Sequence, residues 1–176
     1  MHRPIIALLL LAIAGCAERP PAPLRDEAAF GPVSMRLHPV FTRIKDWTGD
    51  DVPDGIEAMV EFQDAYGDPT KASGRIIFEL FQAKARQPDP RGRRLANPWI
   101  GSLLSQQDQQ ERWNRASRTY TFPLAIDRID RRQDYVLTAQ FDGTDGRRFF
   151  DRLVIEGART PRRDSTTAPT TREAAR

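Results

Sequence analysis

Tyr135-Val-Leu-Thr-Ala-Gln-Phe141, followed by Asp142-Gly-Thr-Asp-Gly146, is the stretch that decides the fold. Tyr135, Leu137, Ala139 and Phe141 recur at a period of two, so the segment reads as a strand with one buried face. The Asp/Gly cluster behind it tolerates tight-turn backbone. It makes a hairpin into a last strand through Phe149, Leu153 and Ile155.

The same period recurs outward from this hairpin. Tyr120, Phe122, Leu124 and Ile126 mark the preceding strand, and Ile76, Phe78 and Leu80 mark another. Ile77 and Phe81 make the latter apolar on both faces, which predicts a central position. Ile56, Ala58, Val60 and Phe62 alternate with Glu57, Met59 and Glu61, and Tyr66-Gly67-Asp68-Pro69 turns the chain after them. Met35 to Ile44 is a first strand, bulged near Pro39 where the alternation slips. One excursion breaks the rhythm. Lys84 to Pro98 reads as a loop, and Ile100 to Arg115 as a short helix with Asp108–Arg112 and Glu111–Arg115 at i,i+4.

These elements predict an all-β, antiparallel β-sandwich of six to seven strands with one short helical insertion. The way Tyr135 enters its strand after a polar connection resembles the tyrosine corner of immunoglobulin and fibronectin-type folds. That resemblance implies an immunoglobulin-like domain over residues 34–157. It implies no activity, because sandwiches host many functions.

The N-terminus carries the other decisive signal. Arg3 precedes an apolar run from Ile5 to Ala14, too short to span a bilayer core of about 30 Å. The run ends in Ile13-Ala14-Gly15-Cys16, which resembles the lipobox of bacterial lipoproteins. The resemblance implies that residues 1–15 are a signal peptide, and that Cys16 is lipidated on sulfur and becomes the mature N-terminus. Several acyl chains, at about 0.8 kcal/mol per buried methylene, hold a protein to a membrane firmly. No Asp follows Cys16, which favours the outer membrane over the inner. Residues 16–33 then read as the lipidated cysteine and a Pro-rich tether, and 158–176 as a disordered tail.

Removing residues 1–15 from the 176-residue chain leaves 161, enough for one domain with its own core. Cys16 is the sole cysteine, so the domain has no disulfide to lean on. The formal charge of +3 falls to +2 once Arg3 is removed, and that near balance hides local contrast. Lys84, Arg86, Arg91, Arg93 and Arg94 oppose only Asp89 in their segment. They form either a solvated basic loop or a contact for an envelope protein or an anionic surface. Nucleic acid is not an expected partner of an exported, lipid-anchored chain.

Asp46 to Glu57 is the one candidate metal loop. Side chains of Asp46, Thr48, Asp50, Asp54 and Glu57, with the carbonyl of Val52, follow the spacing of a twelve-residue calcium loop. The run also resembles the aspartate repeats of thrombospondin type 3. Thr48 replaces the usual Asp, Asp51 replaces the turn glycine, and there is a single copy. A plain Asp/Gly/Pro turn is the alternative. Trp99 and Trp113 either cap the sandwich together with Leu103 and Leu104, or form a platform for a small molecule, glycan or peptide.

No Gly-x-Ser-x-Gly, zinc-ligating His pair or free thiol beyond Cys16 is present, and His38 is the one histidine after the signal. The expectation is a non-catalytic interaction or structural module, with a ligand-binding lipoprotein as the alternative.

Overall fold

The computed structural model of the protein describes residues 29–158. In chain order these form β1 (Ser34–Leu37), β2 (Arg43–Lys45), β3 (Gly55–Gln63), β4 (Pro69–Thr70), β5 (Gly74–Ala83), β6 (Arg91–Arg94) and β7 (Trp99–Ser102). The helix α1 (Gln106–Arg112) follows, then β8 (Trp113–Asn114), β9 (Thr119–Ala125), β10 (Tyr135–Gly143) and β11 (Arg148–Ile155). The first sheet runs β1-β3-β9-β8, with β2 and β4 also paired to β3. The second runs β11-β10-β5-β6, with β7 also paired to β5, and every pairing is antiparallel. The molecule is an all-β sandwich. Its strand order is that of the immunoglobulin sandwich, A-B-E-D against G-F-C with an added edge strand, here broken into β6 and β7.

The alternation that predicts the strands also builds the core. Ile56, Ala58, Val60 and Phe62 of β3 and Tyr120, Phe122 and Leu124 of β9 face Ile76, Phe78 and Leu80 of β5 and Tyr135, Leu137 and Phe141 of β10. Phe62 is the hub. Its ring meets Phe141 edge-on at 4.7 Å and Tyr120 at 5.9 Å, joining the two sheets. The Tyr135 hydroxyl accepts the Asp130 N–H at 2.8 Å and donates to the Asp130 carbonyl at 3.1 Å. That bond back to backbone five residues upstream is the contact a tyrosine corner makes.

Three expected elements differ. The first strand is interrupted rather than bulged. Residues 38–42 bend away, and the Thr42 hydroxyl donates to the Met59 carbonyl and accepts the Met59 N–H in place of ladder bonds. His38 closes that bend through Nδ1, which accepts from Val40 and Phe41, so it ends a strand rather than lying within one. Within the expected loop 84–98, Arg91 and Arg94 pair with Ala83 and Phe81 as an edge strand, with a bulge between. Within the expected helix 100–115, the first residues are strand: Trp99 to Ser102 pair with Phe78 to Arg75.

The helix starts only after Ser105, whose hydroxyl accepts the Asp108 N–H while the Asp108 carboxylate accepts the Ser105 N–H. Asp108 also accepts from Ser102, and Glu111 accepts from Gln107, so neither serves the expected i,i+4 pairing with arginine. A partly buried latch ties α1 to the sheets. Tyr120 donates to Gln109 at 2.5 Å, and the Gln109 amide donates to the carbonyls of Ala72 and Leu103 at 2.8 Å each.

Candidate functional site

Cys16, the signal segment, residues 16–28 of the tether and the tail from 159 lie outside the described residues. The Asp46–Glu57 loop lies within them, between β2 and β3. Asp46 accepts N–H groups from Gly49 at 2.6 Å and Asp51 at 2.8 Å, and meets Arg131 at 3.8 Å. The Gly49 N–H leads in holding the Asp46 carboxyl below its ordinary range, helped by Asp51, Thr48 and Arg131 against the opposing effect of burial. Asp54 accepts the N–H groups of Trp47 and Thr48, and Asp50 accepts that of Val52. Glu57 stands apart on β3, opposite Arg43.

These oxygens cap the loop's own backbone, as Asp side chains do in turns. Asp51 takes the left-handed conformation (φ 66°) at the position where a calcium loop has glycine. Among the described residues, no three His, Cys, Asp or Glu side chains converge to hold a metal.

Trp99 and Trp113 are not brought together. The Trp99 indole N–H donates to the carbonyl of Ala125 at 3.0 Å, at the end of β9. Trp113 pairs opposite Tyr120 near the start of β9, its ring edge-on to Tyr120 at 4.9 Å with the Lys71 ammonium above it. Five residues of strand, about 17 Å, separate the two sites. Each tryptophan closes one stretch of the sandwich edge, and no shared platform exists. Leu103 is buried in the core as expected of a cap, whereas Leu104 is exposed.

The basic segment divides. Arg91 forms a two-pronged pair with Asp89 (3.0 and 2.9 Å) and lies over the Phe81 ring, while Asp89 also meets Arg152 at 3.6 Å. Chiefly through the Arg91 bonds, the Asp89 carboxyl titrates at about 2. Arg94 pairs with Glu79 at 2.9 Å. Lys84, Arg86 and Arg93 form no ion pair among the described residues.

The site that sequence reasoning missed lies beside this segment, on the outer face of the second sheet. Register places Ile100, Ile77, Gln140 and Phe150 in one row across β7, β5, β10 and β11. Phe150 is 67% and Ile100 73% exposed. The row on one side is Ser102, Arg75, Asp142 and Arg148, and the row on the other is Glu79, Thr138 and Arg152. A groove of about 580 Å³ runs between Ile77, Arg91, Phe150 and Arg152. A second hollow of about 460 Å³, lined by Arg75, Ile100, Leu104 and Arg148, continues it past Ile77. The signal was in the sequence: if Phe149, Leu153 and Ile155 point inward, Phe150 and Val154 must point out.

No protein-family model, curated protein or solved structure matches the chain. Its class therefore rests on architecture: an antiparallel sandwich with immunoglobulin strand order and an apolar row laid open on one sheet.

Proposed function

We propose that the protein is a lipid-anchored envelope lipoprotein whose sandwich is a non-catalytic protein-interaction module, docking its partner on the outer face of the second sheet. The observation that carries this reading is the row of Ile100, Ile77, Gln140 and Phe150, in register across four strands, with Ile100 and Phe150 exposed and Ile77 half-buried. Large apolar side chains left exposed and rimmed by charge are the signature of a docking face, and water disfavours leaving them bare. The strongly perturbed carboxylates of Asp89 and Asp108 support a structural use of the acids. Each is consumed, by Arg91 or by the α1 cap respectively.

Anchoring through Cys16, on an outer membrane, follows the lipobox resemblance, and the topology suits it. The described chain begins where Ala29 accepts the Ala65 N–H, beside the turn after β3. It ends at the opposite pole, where Ala158 donates to the Arg131 carbonyl. An anchor upstream of Ala29 would leave the sheet faces and the far pole free for a partner.

Mass spectrometry of the N-terminal peptide tests the anchor, with a diacylated Cys16 as the expected result and an unmodified Cys16 overturning it. A photo-crosslinking residue at position 150 in cells tests the face. Capture of a discrete envelope protein is expected, and the same yield from a crosslinker on the opposite sheet face would overturn the assignment.

A further inference from the structure

Charge and spacing on this face specify the kind of segment that fits it, and the inference rests on the docking reading above. Five arginines (75, 91, 94, 148 and 152) surround the apolar row against three carboxylates, Glu79, Asp89 and Asp142. Asp89 serves two of the arginines, and Arg75 pairs with no carboxylate among the described residues. Lys84, Arg86 and Arg93 add uncompensated positive charge on the adjoining connection.

Along β11 the outward residues are Arg148, Phe150 and Arg152, with the arginine side chains 70% and 47% exposed. Four residues of strand put their attachment points about 13 Å apart, with the phenyl ring midway. An extended peptide has the same repeat, so acids four residues apart flank an apolar side chain at matching distances. We propose that the face binds an extended segment of a partner protein with the pattern acid-x-apolar-x-acid. The apolar residue seats against Phe150 and Ile77, and the two acids meet the arginine rows.

Three stretches of the chain itself carry this pattern, and none is available to a second copy as an extended segment. Asp64-x-Tyr66-x-Asp68 is a tight turn whose Asp64 carboxylate accepts the Tyr66 and Asp68 N–H groups. Glu57-x-Met59-x-Glu61 is closed: Met59 and Glu61 are buried, and the two acids pair with Arg43 and Arg36. In Asp50-x-Val52-x-Asp54, the Asp54 carboxylate is occupied by the Trp47 and Thr48 N–H groups. A partner of different sequence is the occupant.

The test uses the purified chain and a labelled peptide of about twelve residues with glutamate, threonine, phenylalanine, threonine, glutamate at its centre. The comparison peptide has lysines in place of the glutamates. Anisotropy should show preference for the acidic peptide, weakening about tenfold as salt rises from roughly 0.05 to 0.3 M. Arg148→Glu with Arg152→Glu should lose the acidic peptide by at least about tenfold and gain the lysine peptide. That reversal cannot arise from misfolding. Equal binding of both peptides, binding of neither, or sedimentation showing a second copy on the face overturns the acidic pattern. If capture at position 150 persists alongside such a failure, the docking reading stands and only the partner chemistry falls. If capture is lost as well, both fall.

Discussion

On the outer face of the first sheet, Met59 is 8% and Glu61 6% exposed; on that of the second, Phe150 is 67% and Ile100 73% exposed. Both faces come from the same period-two alternation, with an apolar residue between charged ones. Ion pairs do not make the difference, since on both faces an arginine meets the carboxylate directly opposite it in register. On the first sheet, Arg36 from β1 reaches across to Glu61 with two bonds of 3.0 and 2.9 Å, Gln63 adds a third, and Arg43 from β2 meets Glu57. The 38–42 bend is fastened beside Met59: the Thr42 hydroxyl bonds both its N–H and its carbonyl, and the His38 N–H donates to the same carbonyl. On the second sheet, Arg148 meets Asp142 and Arg94 reaches Glu79, while Phe150 and Ile100 stay exposed. A binary pattern thus specifies which face a residue is on, while ion pairing alone does not decide whether that face is closed.

The largest effect should come from breaking what both faces share. Phe62→Ala removes the ring that joins the sheets and should cost about 3–5 kcal/mol, measured by urea unfolding. A cost below about 1 kcal/mol would mean that the sheets are held elsewhere. On the closed face, Met59→Ser should cost about 2 kcal/mol, because it places a hydroxyl where a buried thioether stood. The same change on an open face would cost little. A neutral Met59→Ser would erase the contrast between the faces.

Core strands were readable from sequence because their neighbours bury one face along their whole length, which forces apolar residues into register. The corner at Tyr135 was readable for a related reason: a buried Tyr must bond its hydroxyl, and the backbone just upstream is the nearest partner. The excursion between β5 and β9 was not readable. β7 turns inward at Gly101, where an added Cβ would lie 2.5 Å from the Phe122 ring, so the position that should mark the strand's buried side carries no side chain. β6 is Arg91-Gly-Arg-Arg94, an edge strand without any apolar signal. In the Asp46–Glu57 loop, spacing counted oxygens without saying which way they face, and the nearby N–H groups claimed them. Trp99 and Trp113 were paired by residue type, whereas the strand register holds them at opposite ends of β9.

The closed face should also be pH-sensitive. Burial raises the Glu61 carboxyl, but the Arg36 bonds, then the Gln63 bond and the charges of Arg36 and His38, bring it below its ordinary value of 4.5. A carboxyl lowered in the folded state binds fewer protons there than in the unfolded chain. Its contribution is therefore present above 4.5 and lost as pH falls through the lower folded value. Glu61→Gln should cost about 1 kcal/mol at neutral pH, since Arg36 is half exposed, and should flatten the acid limb of the stability profile. An unchanged acid limb in that variant would assign it to other carboxylates.

The smallest expected effect on stability is the most informative about function. Phe150→Ser removes a large apolar side chain, yet that ring packs mainly against solvent, so unfolding should shift by no more than about 0.5 kcal/mol. The same variant should lose the acidic peptide, because the ring supplies the apolar seat between Arg148 and Arg152. Stability and binding are then uncoupled at one residue, and Met59→Ser provides the converse, costing stability without touching the peptide. Unfolding by urea and peptide anisotropy, run on both variants, give four numbers that must fall in this crossed arrangement. If Phe150→Ser instead destabilised the fold by as much as Met59→Ser, the open face would belong to the architecture, and the exposed row would be no site at all.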